Sequence, residues 1–436
     1  MRNRNSLFAL LACVVGCEKS PFPDRAVPHV PAAAPISCLT IPSGSSPQKI
    51  LDAAPVSAKL CLSPGRYPGP VRLTRGQTLW GPRDAVIVSN GVGTTVRVHG
   101  KGASLLGLTV SGSGDRFDKS DSAIHIEGED IQIDDVSIVG ATFGILVDKS
   151  QRIVISRCEL LGRGDTPLGL RGDGVRFWET VDSTLRGNFV RDSRDLLMRF
   201  SQRILIEDNT MTRSRYGMHL MYSSDITMRN NRSLGNVVGT FVMYSHKVSY
   251  EHNLVAASGG AAGMGLGVKE SGDLTVDNNL FVRNTSSVYL DTSPIQLGQR
   301  NVFTKNTFRL SDTAVIFHSS QRGNGFSGNR FFDNQAQVRV EGGGDALGTQ
   351  WDGNEWDDYA GFDFDGDGIG DVPYEVRSLS ANLLDRFPVL SLFRGTPALH
   401  LTETLSYILP LFAPQAVMVD QKPLWQSPGR IWETGF

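Results

Sequence analysis

Long apolar runs are missing from this chain: no stretch approaches the roughly 20 apolar residues of a membrane span. A charge excess is missing as well. Lys and Arg number 43 against 45 Asp and Glu, a formal net charge of −2, and nothing in that balance points to nucleic acid. Cysteine is scarce, with 5 in 436 residues, and those besides Cys17 include no close pair, which argues against a cysteine-bound metal. Helical spacing is absent from the body of the chain. Glycine, by contrast, is abundant at 47 residues, as suits a fold built from corners.

What is present is a repeat. Met198-Arg199-Phe200-Ser201, Leu220-Met221-Tyr222-Ser223 and Val242-Met243-Tyr244-Ser245 are three copies of one unit, and each runs on to an asparagine: Asn209, Asn231 and Asn253, spaced 22 apart. Outward extension of the register gives Val136, Cys158 and Asn188 before them, and Asn279, Asn306, Asn329 and Asn354 after them. A fixed period of this size marks a solenoid. Ile204-Leu205-Ile206, Ile226-Thr227-Met228, Val248-Ser249-Tyr250 and Leu274-Thr275-Val276 are short β-type runs punctuated by Gly, Asn, Asp and Ser. The expected fold is therefore all-β: a single right-handed parallel β-helix over residues 38–390 with short helical caps, its asparagines stacked as an amide ladder. Ile50 to Leu60 reads as the cap of the open N-terminal end. Gly112 to Ser120 and Gly162 to Gly172 read as loops projecting from the coil.

The N-terminus reads as an export signal over residues 1–16. Arg2 and Arg4 precede an apolar run from Leu7 to Val15. Val14-Val15-Gly16-Cys17 resembles a bacterial lipobox, which implies lipidation of Cys17; an ordinary cleaved signal is the alternative. Residues 17–37, rich in Pro and Ala, read as a lipid-anchored linker. Cys38 and Cys61 flank the first folded segment and, in an oxidising compartment, suit a disulfide.

Alternation along strands assigns faces. Leu196, Met198 and Phe200, then Met218, Leu220 and Tyr222, then Thr240, Val242 and Tyr244 are expected inside. Leu197 and Arg199, His219 and Met221, and Phe241 and Met243 are expected outside, as an apolar strip. His219 and Met221 share that face, and Met243 lies in the Met221 column one coil on, roughly 4.8 Å away. Imidazole and thioether ligands suit Cu(I), with His246 as a further candidate. Ordinary packing by the methionines is the other reading.

Two further constellations compete for attention. Asp173 and Asp195, at nearly matching positions on adjacent coils, fit the acid and base of a carbohydrate-active enzyme, or else corner ion pairs. Asp363, Asp365, Asp367 and Asp371, within Asp-Phe-Asp-Gly-Asp-Gly-Ile-Gly-Asp, offer oxygen ligands for a structural Ca²⁺, or else glycine turns closed by their own hydrogen bonds. Leu399 to Phe412 reads as an apolar helix, either a cap or part of a docking segment over residues 391–436.

The Arg171-Gly172-Asp173-Gly174 corner, Arg215 to Ser223, Gly239 to Ser245 with its Met-Tyr-Ser ending, and Trp356 to Tyr374 resemble the NosD-type nitrous oxide reductase maturation proteins. The likeness runs from about Cys61 to Phe412. It implies a non-enzymatic periplasmic β-helix that takes part in supplying copper to nitrous oxide reductase. It also implies an ABC transporter, permease and ATPase, and a copper chaperone as partners.

Overall fold

The structure, a computed structural model, describes residues 30–378 and 414–425 together with a few positions between them. The expected signal peptide, Cys17 and the linker up to residue 29 lie outside the described residues, as does the helix expected over Leu399 to Phe412 apart from isolated positions.

The coils pile up as three parallel sheets of 14, 12 and 13 strands. The first sheet runs from Leu39–Ile41 to Gln350–Asp352, the second from Val71–Leu73 to Ala336–Val340, and the third from Gly65–Pro68 to Glu355–Trp356. Each strand pairs with the equivalent strand one coil away, so residues about 22 apart in sequence become backbone neighbours, as Met221 and Met243 do. This is the parallel β-helix that the repeat anticipates. One alternating face of every strand points to the axis and is buried, among them Leu196, Met198, Met218, Leu220, Thr240 and Val242.

Two internal ladders explain the repeat residue by residue. Asn Nδ2 donates to the next Asn Oδ1 at 2.9–3.0 Å from Asn188 through Asn209, Asn231, Asn253, Asn279, Asn306 and Asn329 to Asn354. A second donor bond goes to a strand-end carbonyl, as from Asn253 Nδ2 to Met228 O at 2.9 Å. These bonds satisfy the buried amide groups that a sharp corner would orphan. Cys158 precedes Asn188 in this column; its backbone N–H donates to Asn188 Oδ1 at 2.9 Å, and burial pushes its thiol up to about 12. The Ser that ends each repeat unit forms the second ladder, with Ser201, Ser223 and Ser245 N–H groups each reaching the next Ser Oγ at 3.0–3.2 Å.

Both ends are closed. At the N-terminal end Leu39–Ile41 pairs with Lys59–Leu62, Cys38 is bonded to Cys61 across a Cα separation of 5.7 Å, and the helix Pro47–Ala53 buries Leu51. The helical cap thus starts before the expected Ile50, and from Lys59 that segment is already strand. At the other end Gln415–Asp420 pairs antiparallel with Tyr374–Ser378. Tyr374 stacks on Trp356 (4.4 Å), extending the buried column of Phe281, Phe308 and Phe331. Asp420, wholly buried, accepts the last Asn354 Nδ2 at 2.9 Å and Trp356 Nε1 at 3.2 Å. A carboxylate therefore terminates the amide ladder.

Three expectations change. Phe200, Tyr222 and Tyr244 are not interior: they sit at the corner residue, with φ +53, +50 and +51, which turns them outward. There they stack on one another at 5.3 and 4.7 Å, offsetting part of the left-handed strain. Strict alternation fails because the corner resets the face. The insert Gly112–Ser120 does not project but folds back, its Phe117 ring 4.9 Å from Phe143. Nor is the linker free from residue 30 onward: Ala32 N donates to Asp135 Oδ2 (2.8 Å) and Trp80 Nε1 to Ala32 O (2.9 Å).

Candidate metal centre

Adjacent strands Asp195–Arg199, Tyr216–Met221 and Val238–Met243 of the second sheet carry the candidate residues. On the outer face two columns run along the axis. One is Leu197, His219, Phe241, Gly267; the other is Arg199, Met221, Met243, Lys269. The columns are those that the repeat implies. The strip is less open than expected, however: Leu197 and His219 are buried, and Met221, Phe241 and Met243 are half-buried.

His219 is covered by rings. Tyr216 meets it edge-on at 4.8 Å and Phe241 lies nearly parallel at 6.1 Å. Its Nε2 lies 3.4 Å from Met243 Sδ. Its Nδ1 lies 3.2 Å from Asp195 Oδ2. The Asp195 carboxylate is itself buried and gripped by the Arg215 guanidinium through Nε (2.9 Å) and NH2. Burial opposes ionisation of Asp195, but the hydrogen bonds from His219 and Arg215 outweigh it, and the carboxyl is held below its usual range. In the neutral tautomer that donates from Nδ1 to this carboxylate, the Nε2 lone pair faces the thioether. A carboxylate behind a histidine in this way is the outer support that metal-binding imidazoles commonly have.

The donor set suits a soft monovalent ion. Two donors at about 2.0 and 2.3 Å from one tetrahedral ion stand roughly 3.5 Å apart, close to the 3.4 Å between Nε2 and Sδ. Met221 is the register neighbour of Met243. His246 does not join them: it opens the strand His246–Glu251 of the first sheet, beyond the Tyr244-Ser245 corner, and is exposed.

The rival carboxylates are closed rather than poised. Asp173 is buried and bidentate to Arg194 at 2.9 and 3.1 Å, just as Asp195 is held by Arg215. The register pairs Val175 with Leu196, which sets Arg194, not Asp195, opposite Asp173. The space that Asp173 helps to line amounts to about 10 Å³, too small for a sugar ring. Phe117, from the folded-back insert, lies 5.3 Å under the Arg194 guanidinium. These are structural ion pairs of an enclosed corner.

In the acidic loop the carboxylate oxygens of Asp363, Asp365 and Asp367 come within 4.8 Å of one another, while Asp371 is not among them. The same oxygens accept backbone N–H groups: Gly366 to Asp363 Oδ1 at 2.7 Å, Gly368 to Asp363 Oδ2 at 3.0 Å, Ile369 to Asp367 Oδ1 at 2.7 Å. Asp371 instead accepts Phe364 N at 2.6 Å.

Sequence reasoning missed the partnership of His219 with Asp195 and Arg215. The bulge between Asp195 and Leu197 shifts Asp195 opposite Tyr216 and swings its carboxylate to the imidazole; no period-based register anticipates that.

Comparison with known proteins bears on the same stretch. A family model described as periplasmic copper-binding protein (NosD) matches residues 162–361. Two proteins named probable ABC transporter binding protein NosD align over most of the chain. The one from Stutzerimonas stutzeri is 25% identical, covering 84% of this chain and 86% of its own. The one from Pseudomonas aeruginosa is 24% identical, covering 84% and 88%. Among solved structures, the catalytic unit of a GH87 α-1,3-glucanase from Streptomyces thermodiastaticus matches with a TM-score of 0.56 and 16% identity over 76% of this chain and 71% of that one. The surface adhesin PfbA of Streptococcus pneumoniae matches with 0.53 and 11% over 70% and 100%. At those identities the structures share the fold alone.

Proposed function

We propose that the chain is a NosD-type protein and a non-enzymatic accessory to nitrous oxide reductase maturation that handles Cu(I) on its outer face. The ion is cargo, held by His219 Nε2 and Met243 Sδ with Met221 beside them. One observation carries the assignment: a buried, ionised Asp195 fixes His219 so that Nε2 faces a thioether at 3.4 Å. A packing histidine has no need of an arginine-backed carboxylate aimed at its far nitrogen.

In this reading the chain is exported, lipidated at Cys17 and works in the periplasm with an ABC transporter, its permease and ATPase; the relatives' name, ABC transporter binding protein, supports the transporter partnership. A copper chaperone supplies the ion and nitrous oxide reductase is its destination. The region from residue 391 onward supplies the contact with the permease. Ca²⁺ at Asp363, Asp365 and Asp367, with Asp371 tying the loop, is structural; chelation is expected to loosen that loop without altering copper affinity.

The test is Cu(I) affinity by competition with a chromogenic chelator. Replacement of His219, Met221 and Met243 together by Ala is expected to weaken binding about 100-fold or more. An unchanged affinity in a folded triple variant would remove the site. A carbohydrate-active role with Asp173 and Asp195 would instead require the two arginine forks to open on substrate.

A further inference from the structure

The thioether column does not stand alone. Read along the axis it runs Trp178, Arg199, Met221, Met243, Lys269, Asp291. The two methionines are thus bracketed by two cations, each one coil away, roughly 4.8 Å along the backbone. The cations differ. Lys269 is neutralised by Asp291 at 2.6 Å, with Glu270 at 3.8 Å. Arg199 has no carboxylate partner among the described residues. It is held by rings, its guanidinium 4.6 Å from the Trp178 centroid and 5.0 Å from Phe200, and its buried Nε finds no acceptor among the described residues.

Most other charges of this neighbourhood cancel in pairs, while the Glu179 carboxylate accepts Trp178 Nε1–H at 3.1 Å. Asp195 is matched by Arg215, and Asp173 by Arg194. Arg176 reaches Asp148 at 3.5 Å. Arg199 is the cation without an ion-pair partner here, and it is immobilised by stacking in a half-buried setting where solvent screens it poorly.

We propose that Arg199 is a charge-selectivity residue: its positive charge, fixed one coil from Met221 and two from Met243, favours a monovalent soft ion over divalent ions at the same donors. This rests on the metal site proposed above. The coulombic energy of an ion next to a fixed charge scales with the ion's own charge, whatever the local dielectric. A divalent ion at His219, Met221 and Met243 therefore meets twice the opposing energy that a monovalent ion meets. Imidazole and thioether already disfavour hard ions through softness, but imidazole binds Zn²⁺ well. Arg199 supplies discrimination that the ligands lack.

The experiment titrates wild type, Arg199→Gln and Arg199→Lys with Ag⁺ and with Zn²⁺ at fixed ionic strength, following the His219 imidazole by NMR. In Arg199→Gln, Ag⁺ is expected to bind about fivefold more tightly and Zn²⁺ about 25-fold, the square of the first figure. Arg199→Lys is expected to stay close to wild type for both. Equal gains for the two ions, or no gain for Zn²⁺, would overturn the proposal while leaving the site intact. If Ag⁺ does not perturb His219 even in wild type, the metal site itself fails, and the selectivity role falls with it.

Discussion

At the scale of single residues, the chemistry rests on what stands behind each polar group. His219 owes its orientation to Asp195, and Asp195 owes its ionisation in a buried place to Arg215 and His219. Asp173 tells the complementary story. Burial pushes its carboxyl up to about 6 despite the charge of Arg194. Between about pH 4 and that value the folded chain holds a proton that the unfolded chain has released, so stability from this group is present at low pH and lost as pH rises. Stability of wild type minus that of Asp173→Asn is therefore expected to fall between pH 4 and 7, measured by denaturant midpoint. A difference that is flat or that rises would show that the Arg194 pair governs the titration instead. How far the sequence reveals such residues is uneven. The columns of Met221 and Met243 follow from a 22-residue period alone. The aromatic corners do not, because whether Tyr222 points in or out depends on one left-handed residue that leaves no signal in hydrophobicity.

At the scale of elements, the coil is held by its corner amides as much as by its core. From Asn209 to Asn354 every ladder asparagine donates at least twice through Nδ2 and accepts twice at Oδ1, so one removed in the middle orphans groups on both flanking coils. Asn253 accepts from Asn231 at both the backbone N (2.9 Å) and Nδ2 (3.0 Å), and donates to Met228 O and Asn279 Oδ1. Asn253→Ala is expected to lower stability by about 2–4 kcal/mol, read as a denaturant midpoint shift. A loss near zero would mean that water enters the corner and replaces the amide. The ladder was legible because asparagine recurs in register. Its first rung was legible only in part: Cys158 holds the place with a thiol that bonds Ser156 O at 3.2 Å rather than with an amide.

At the scale of the molecule, the stack needs its ends closed, since an open parallel edge offers unpaired strands to any neighbour. The C-terminal closure returns from far along the chain: Gln415–Asp420 crosses back so that Asp420 caps a ladder whose last asparagine lies 66 residues earlier. Asp420→Ala is expected to expose the amides of the last two or three coils to hydrogen exchange while the coils around Met221 stay protected. Uniform loss of protection would instead mark the whole stack as one cooperative unit. Nothing in the sequence marks Asp420 for this role, because its partners are fixed only once the hairpin with Tyr374–Ser378 has formed.

The two closures also differ in kind. Near residue 38 the first strand is riveted through sulfur to the coil that follows it, whereas among the described residues the far end is fastened by a returning strand, its backbone hydrogen bonds, one carboxylate and stacked rings. Under load the molecule thus has a welded end and a buttoned one. A partner that tugs on the C-terminal segment can peel coils one at a time from that side, and the turns that carry His219 and Met243 sit several rows back from where the unbuttoning would start.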